Sequence, residues 1–209
     1  FPAHYPQGFK PTIYPDALLS PLYLKKPSTI LVCFMGDLFG DWVKPNAFPT
    51  WFEPKSVNGI ADRFGREQFK IQQYVKMQVR ANRQHTFYFL TKNPAGLKAW
   101  SSFPDNAYIG VSVCNQRMFD KALIYLSDVK AKHKWLSFEP LLEEVIIQPN
   151  DLEDISWVVI GGQSNPTIKP KTEWLLSITN SCDKAGVKIW LKNNTGLGKP
   201  RQERLNNPL

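Results

Sequence analysis

A parallel α/β fold of barrel type is the architecture this sequence predicts, on three observations. Short apolar runs alternate with stretches of helical periodicity. After a longer first crossover, the runs recur mostly every ~25–30 residues, near the length of a βα repeat. Neither GxGxxG after the first run nor GxxxxGK[ST] is present, which removes the main support for dinucleotide-binding and P-loop sheets. The predicted form is a partial (β/α) TIM-like barrel with about six parallel strands.

The elements follow in order. Residues 1–27 are Pro-rich and form an extended lead-in over the surface. TILVCFM, residues 29–35, is a buried strand stopped by Gly36-Asp37, and residues 40–54 are rich in aromatics and prolines. The spacing predicts a helix over about 66–82, with Phe64, Ile71, Val75 and Val79 on one face and Arg66, Lys70 and Arg80 on the other. Residues 63–83 hold six basic side chains and one acid, Glu67. Strands follow at 85–92, 106–113, 133–140, 155–162 and 187–192. Helical stretches fall at 94–101, 117–130 and 172–184, the last opened by a capping-type sequence at Thr172. Residues 193–209 form a polar, frayed tail.

Length and composition set the outer limits. The 209 residues, 43% hydrophobic and 21% charged, suit one α/β domain over 1–209 and exclude wholesale disorder. No apolar run approaches the ~18–20 residues of a membrane helix, so no membrane partner is expected. The N-terminus carries no secretory signal pattern, and Cys33, Cys114 and Cys182 are too scattered for a disulfide framework, so the cytoplasm is the expected compartment. The same scatter leaves no local metal or cluster motif in this chain. A net charge of +8 permits a polyanionic partner such as nucleic acid, which the basic face with Arg66, Lys70 and Arg80 would meet. Solvated surface is the ordinary use of such a face.

In parallel α/β folds chemistry collects where strands end. The ends here are Met35-Gly36-Asp37, Lys92-Asn93, Ser112 with Cys114-Asn115, Ser137 with Glu139, Gly161-Gly162-Gln163 and Lys192-Asn193. Together they predict a polar cup over an apolar barrel, although turns also want polar residues. Asp37 suits a ligand amine or ribose, Lys92 a carboxylate or phosphate, and Glu139 sits in a backbone fixed by Pro140. Lys92, Asn93, Gln163 and Lys192 are the candidate substrate contacts. Gly161-Gly162 permits close approach of a ligand or simply a turn. His85 and His133 open strands, at the end of the sheet away from the chemistry, and read as structural.

The strings YPQGFKPTIYPDAL, MGDLFGDWV, FLTKNP, YIGVSV, LSFEPLL, WVVIGGQS and AGVKIWLKN, in this order, resemble a phage and prophage family of unknown function related to radical-SAM enzymes. The resemblance spans about residues 5–193. It implies a radical-SAM core lacking its first βα unit, the six strands being the second to the seventh. In such cores a three-cysteine segment ahead of these strands binds a 4Fe–4S cluster, whose open iron takes S-adenosylmethionine and whose electron comes from a donor protein. None of Cys33, Cys114 and Cys182 matches that segment, so the cluster ligands are absent from this chain. By strand position the resemblance implies Met35, Gly36 and Asp37 for the methionine amino group, Ser112, Asn115 and Glu139 for ribose or substrate, and Gly161 and Gly162 for adenine. Cys114 and Gln163 stand where the family commonly carries carboxylates, which makes the cup less acidic. Three functions follow as expectations: a radical-SAM-type enzyme in the full-length form with this chain inactive alone, a cluster-less binding module that takes nucleic acid through the basic helix, and an unrelated barrel enzyme using Glu139 and Lys92 as acid and base.

Overall fold

The computed structural model describes residues 15–34, 36–47 and 70–205. A short helix, α1 (Pro15–Leu19), leads through a 3₁₀ turn (Ser20–Tyr23) to strand β1 (Thr29–Val32). Helix α2 (Ile71–Ala81) precedes β2 (Thr86–Thr91), and a 3₁₀ helix (Pro94–Trp100) precedes β3 (Ala107–Ser112). Then come α3 (Gln116–Ser127), β4 (His133–Phe138), a 3₁₀ turn (Pro149–Leu152) and β5 (Ile155–Ile160). A two-rung hairpin of β6 (Gln163–Ser164) and β7 (Thr167–Ile168) leads to α4 (Thr172–Ala185) and β8 (Lys188–Leu191). Gly186, at φ 69°, supplies the left-handed residue that stops α4.

The sheet order is β1-β2-β3-β4-β5-β8, and every neighbouring pair is parallel. Strands laid down in chain order step always in one direction, so right-handed crossovers put the helices on one face. A doubly wound sheet would reverse direction once; this one does not, and it has the winding of a partial β/α barrel.

The period of two along each strand sorts residues between two cores. Phe87, Phe89, Ile109, Val111, Leu136, Phe138, Val158, Ile160, Ile189 and Leu191 face the helices and pack with Val75, Val79, Phe119, Leu126, Leu175 and Ile178. The residues between them, Tyr88, Tyr108, Trp135 and Val159, form a second cluster on the opposite face with Leu90, Trp157, Trp190 and Leu205. The inner face is therefore an aromatic wall: Tyr88 stacks on Tyr108 at 4.9 Å, and Trp135 lies 5.6 Å from Trp157.

The two histidines do sit at the strand starts. His85 is buried; its Nδ1 accepts the Ser28 N–H at 3.1 Å, and its Nε2 lies 3.2 Å from the Pro21 carbonyl, which ties the lead-in to β2. The first strand is shorter than its apolar run. It ends at Val32, and Cys33 turns the chain at φ 55°, with the Gly36 N–H closing onto its carbonyl, so Cys33 lies after the strand rather than within it.

The tail is not frayed over its described length. Residues 201–203 run antiparallel to β8: the Leu191 N–H donates to the Arg201 carbonyl and the Glu203 N–H to the Ile189 carbonyl, each at 2.8 Å. The Trp157 indole N–H adds a bond to the Glu203 carbonyl at 2.9 Å. Polar composition hides this pairing because the partners are backbone groups of the sheet edge.

Candidate functional site

The polar crown forms where the residues of the inner face run past the last aromatic rung. Above Trp135 on β4 come Ser137 and then Glu139; above Trp157 and Val159 on β5 comes Gly161; above Trp190 on β8 comes Lys192. The Ser137 hydroxyl donates to Glu139 Oε2 at 3.0 Å, while Glu139 Oε1 pairs with Lys192 Nζ. The pair crosses Gly161, where a Cβ would sit 2.7 Å from Glu139 Oε1 and 3.2 Å from both Asn194 Oδ1 and Lys192 Cδ. A side chain at 161 would drive the carboxylate and the ammonium apart.

Asn194 completes this corner. Its side-chain oxygen accepts the Gly162 N–H at 3.1 Å, and its amide donates back to the Gly162 carbonyl at 2.8 Å. The two glycines therefore admit other parts of this chain: Gly162 is approached by the carbonyls of Ile168 and Asn194. Beside the pair lies an open cleft of about 390 Å³ lined by Trp190, Lys192, Asn193, Asn194 and Gln202.

The loop after β1 meets the end of β2 through Asp37. Its carboxylate accepts the Thr91 hydroxyl, the Lys92 N–H at 3.0 Å and the Phe39 N–H at 2.9 Å. Asn93 donates its amide to the Phe39 carbonyl and to Asp41 Oδ1, both at 2.9 Å. Asp37 and Asn93 thus clamp the two strand ends together, leaving Gly36 and Lys92 exposed beside them. Met35 lies outside the described residues.

Between these two corners stand Ser112 and Cys114. Ser112 is buried and in register with Ser137, and the half-buried Cys114 follows it past the end of β3. Burial pushes the Cys114 thiol up, and the ammonium of Lys92 opposes that shift. The shift keeps the thiol protonated at neutral pH, which disfavours a thiolate nucleophile. Asn115 is the N-cap of α3, accepting the Met118 N–H at 2.9 Å. Gln163 folds onto its own hairpin, donating to the Pro166 carbonyl at 3.2 Å.

The crown therefore joins Ser137, Glu139, Gly161 and Lys192 into one contact set and places Lys92 by Cys114, while Asp37, Asn93, Asn115 and Gln163 are engaged within the protein. Sequence reasoning did not single out Asn194 or Trp190. Counting on by two from Val159 and Trp190 reaches Gly161, Lys192 and Asn194, and that alternation was the available signal.

Of the basic helix, Lys70 is the N-cap of α2 and Arg80 lies exposed in its last turn; Arg66 is outside the described residues. Ten residues apart, Lys70 and Arg80 stand at the two ends of the helix, about 80° apart around its axis. Among the described residues no group of three His, Cys, Asp or Glu side chains could hold a metal ion. Cys33 is exposed beyond β1, Cys114 half-buried beyond β3 and Cys182 buried in α4, on the helical side of the sheet. These cysteines do not fit a cluster.

Fold and crown define a singly wound parallel β/α protein with a charged strand-end site. A family model described as Protein of unknown function (DUF5131) matches residues 49–207, more than half of the chain, and the chain belongs to that family. Neither the curated proteins nor the solved structures returned a match. Among the described residues no helix is long and apolar enough to cross a membrane.

Proposed function

We propose that this chain is the barrel portion of a radical-SAM-type enzyme and that its crown holds the amino-acid head group of S-adenosylmethionine. The Glu139–Lys192 pair across Gly161 carries the reading. A carboxylate and an ammonium on neighbouring strand ends are complementary to a zwitterionic α-amino acid, whose ammonium and carboxylate would exchange partners with them. The one-directional winding of six parallel strands and the strand-end position of the crown support the same reading. The resemblance adds the backbone at Met35 and Gly36 for the amino group, Ser112 for ribose and the Gly161-Gly162 region for adenine.

S-adenosylmethionine, when bound, supplies a sulfonium whose cleavage is the cofactor's own chemistry. What this chain contributes is orientation: Glu139 and Lys192 fix the head group, Ser137 holds the Glu139 carboxylate, and the aromatic wall closes the floor. The cluster finds no ligand set among the described residues, so no step through it is assigned to them. The same reading includes a phage setting, the cytoplasm and an electron-donor protein.

Calorimetric titration of S-adenosylmethionine into this chain tests the head-group site. Saturable binding that weakens roughly tenfold in both Glu139→Gln and Lys192→Met is expected. Binding that ignores both substitutions would remove the site. Anaerobic reconstitution of the polypeptide as its gene encodes it tests the enzyme class: a brown protein that yields 5′-deoxyadenosine with reductant is the expected result. A colourless, inactive protein would instead favour a cluster-less binding module, the reading that the three separated cysteines support.

A further inference from the structure

The end of the sheet opposite the crown carries a charge pattern that the proposed activity does not use. Lys25 and Lys26 precede β1, Arg80 and Arg83 lie between the last turn of α2 and β2, and Lys130 and Lys132 precede β4. All six are exposed, and among the described residues none of their side chains meets a carboxylate within ion-pair distance.

The loops that carry them are stitched together, so the charges do not float apart. The Thr86 N–H donates to the Ser28 carbonyl, and the Ser28 N–H to His85. The Asn106 amide spans the carbonyls of Val79, Asn82 and His85 at 2.9–3.2 Å. The Phe103 N–H reaches the Lys130 carbonyl, and the Lys130 N–H the Ser101 hydroxyl, each at 2.9 Å. Lys132 and Asp105 both act on His133 at the start of β4, which places them together.

The acids at this end are disposed differently. Asp128 and Asp154 are taken by Lys98 and Lys134, at 3.3 and 3.1 Å, and Glu153 stands before β5, beyond the basic arc. Among the described residues along β1 to β4, Asp105 is the one carboxylate left against six cations. Elsewhere Lys171, Lys192 and Arg201 carry ion pairs and Arg204 lies over Trp190, so part of the protein's excess of positive charge collects on this rim.

We propose that this rim binds the phosphate backbone of a nucleic acid. Four adjacent strands span about 14 Å at the usual strand separation, which faces about four phosphates of one strand. Arginine and lysine on fixed loops suit phosphate contact, while Gln84 and the Asn106 corner offer no base-reading helix, so the contact is one of charge and not of sequence. The surface is separate from the crown, and its test stands whether or not the crown takes S-adenosylmethionine.

Fluorescence anisotropy with labelled single-stranded and duplex oligonucleotides of mixed sequence provides the test. Four phosphate contacts predict a roughly hundredfold loss of affinity between about 50 and about 200 mM salt. Neutralising Arg83, Lys130 and Lys132 together to Gln should weaken binding at least about tenfold at low salt and flatten the salt slope by two to three contacts, roughly. Lys121→Gln with Lys184→Gln, on outer helix faces, should leave binding within about twofold. Circular dichroism confirms that each variant is folded. Absence of binding at low salt would overturn the proposal, as would equal binding by the rim variant. Sedimentation with phosphatidylserine vesicles but not with oligonucleotides would overturn it too, in favour of an anionic membrane surface.

Discussion

The Thr91 hydroxyl lies 2.8 Å from each carboxylate oxygen of Asp37, fastening the loop after β1 to the end of β2. With the N–H groups of Phe39 and Lys92 on the same carboxylate, Asp37 serves three donors of its own protein. Asp37→Ala leaves all three without that acceptor, one of them on the buried Thr91, and should lower stability by about 2–3 kcal/mol. Asp37→Asn, which keeps one acceptor oxygen, should lose about half as much. Urea unfolding measures both. Were Asp37 instead an anchor for a ligand amine, the asparagine variant would lose S-adenosylmethionine affinity with its unfolding midpoint unchanged.

Two glycines on the inner face separate packing from binding. At Gly110 a Cβ would meet the indole of Trp135, 2.5 Å from its nitrogen, within the aromatic wall. That ring is boxed by Tyr88 and Trp157, so Gly110→Ala should cost about 1–3 kcal/mol by overpacking. At Gly161 the first atom met is Glu139 Oε1, the far end of a movable side chain. Gly161→Ala should therefore change the melting temperature little while abolishing head-group binding. A large stability loss at Gly161 with intact binding would mean that the Glu139–Lys192 pair is structural.

His133 sets a pH dependence at the other end of the sheet. Its ring stacks on Tyr108 at 4.2 Å and 7°, and its buried Nε2 has no hydrogen-bond partner among the described residues. Burial holds its pKa below the ordinary histidine value of 6.5; Lys132 adds to the shift and Asp105 opposes it. The unfolded chain then binds a proton that the folded protein resists. Stability is accordingly full above about 6.5 and falls as pH drops from there through the folded value. His133→Phe keeps the stack and removes the titration. Melting temperatures taken from pH 7 down to about 5 should fall less steeply in this variant than in the parent.

How far the sequence carried this fold can be seen at particular residues. All six parallel strands were legible because each carries a short, mainly apolar run, and the helix side of the core followed from spacing such as Val75 to Val79. The β6–β7 hairpin was not, because two-residue strands leave no period to detect. The strand-end polar residues were legible as a group, yet their division of labour was not. Asp37, Asn93 and Asn115 carry the residue types of a ligand site, but their partners lie one loop or one turn away within the protein. The Glu139–Lys192 pair joins positions 53 apart that only the β4-β5-β8 order brings together. Trp190, by contrast, stands two residues before Lys192 on β8, so their shared face follows from alternation along the strand.

The strap along β8 gives the last prediction. Ile189 donates its N–H to the Glu203 carboxylate at 3.0 Å, and Leu191 donates to the Arg201 carbonyl. The Ile189 N–H holds the Glu203 carboxyl below the usual carboxylate range, and Arg201 lowers it further against the cost of burial. A carboxylate with a depressed folded pKa stabilises above its unfolded value, near 4.5, and that contribution is lost as pH falls through the folded value. Hydrogen-exchange protection of the Ile189 and Leu191 amides should therefore drop on acidification below about 4.5, while Val158 in the sheet interior keeps its protection. Glu203→Ala should bring the same loss at neutral pH, roughly three- to tenfold in protection of Ile189, a modest figure because the pair with Arg201 is open to solvent. Equal protection in Glu203→Ala and the parent would show that the strap is held not by its carboxylate but by the backbone bonds of residues 201–203 and the Trp157 indole.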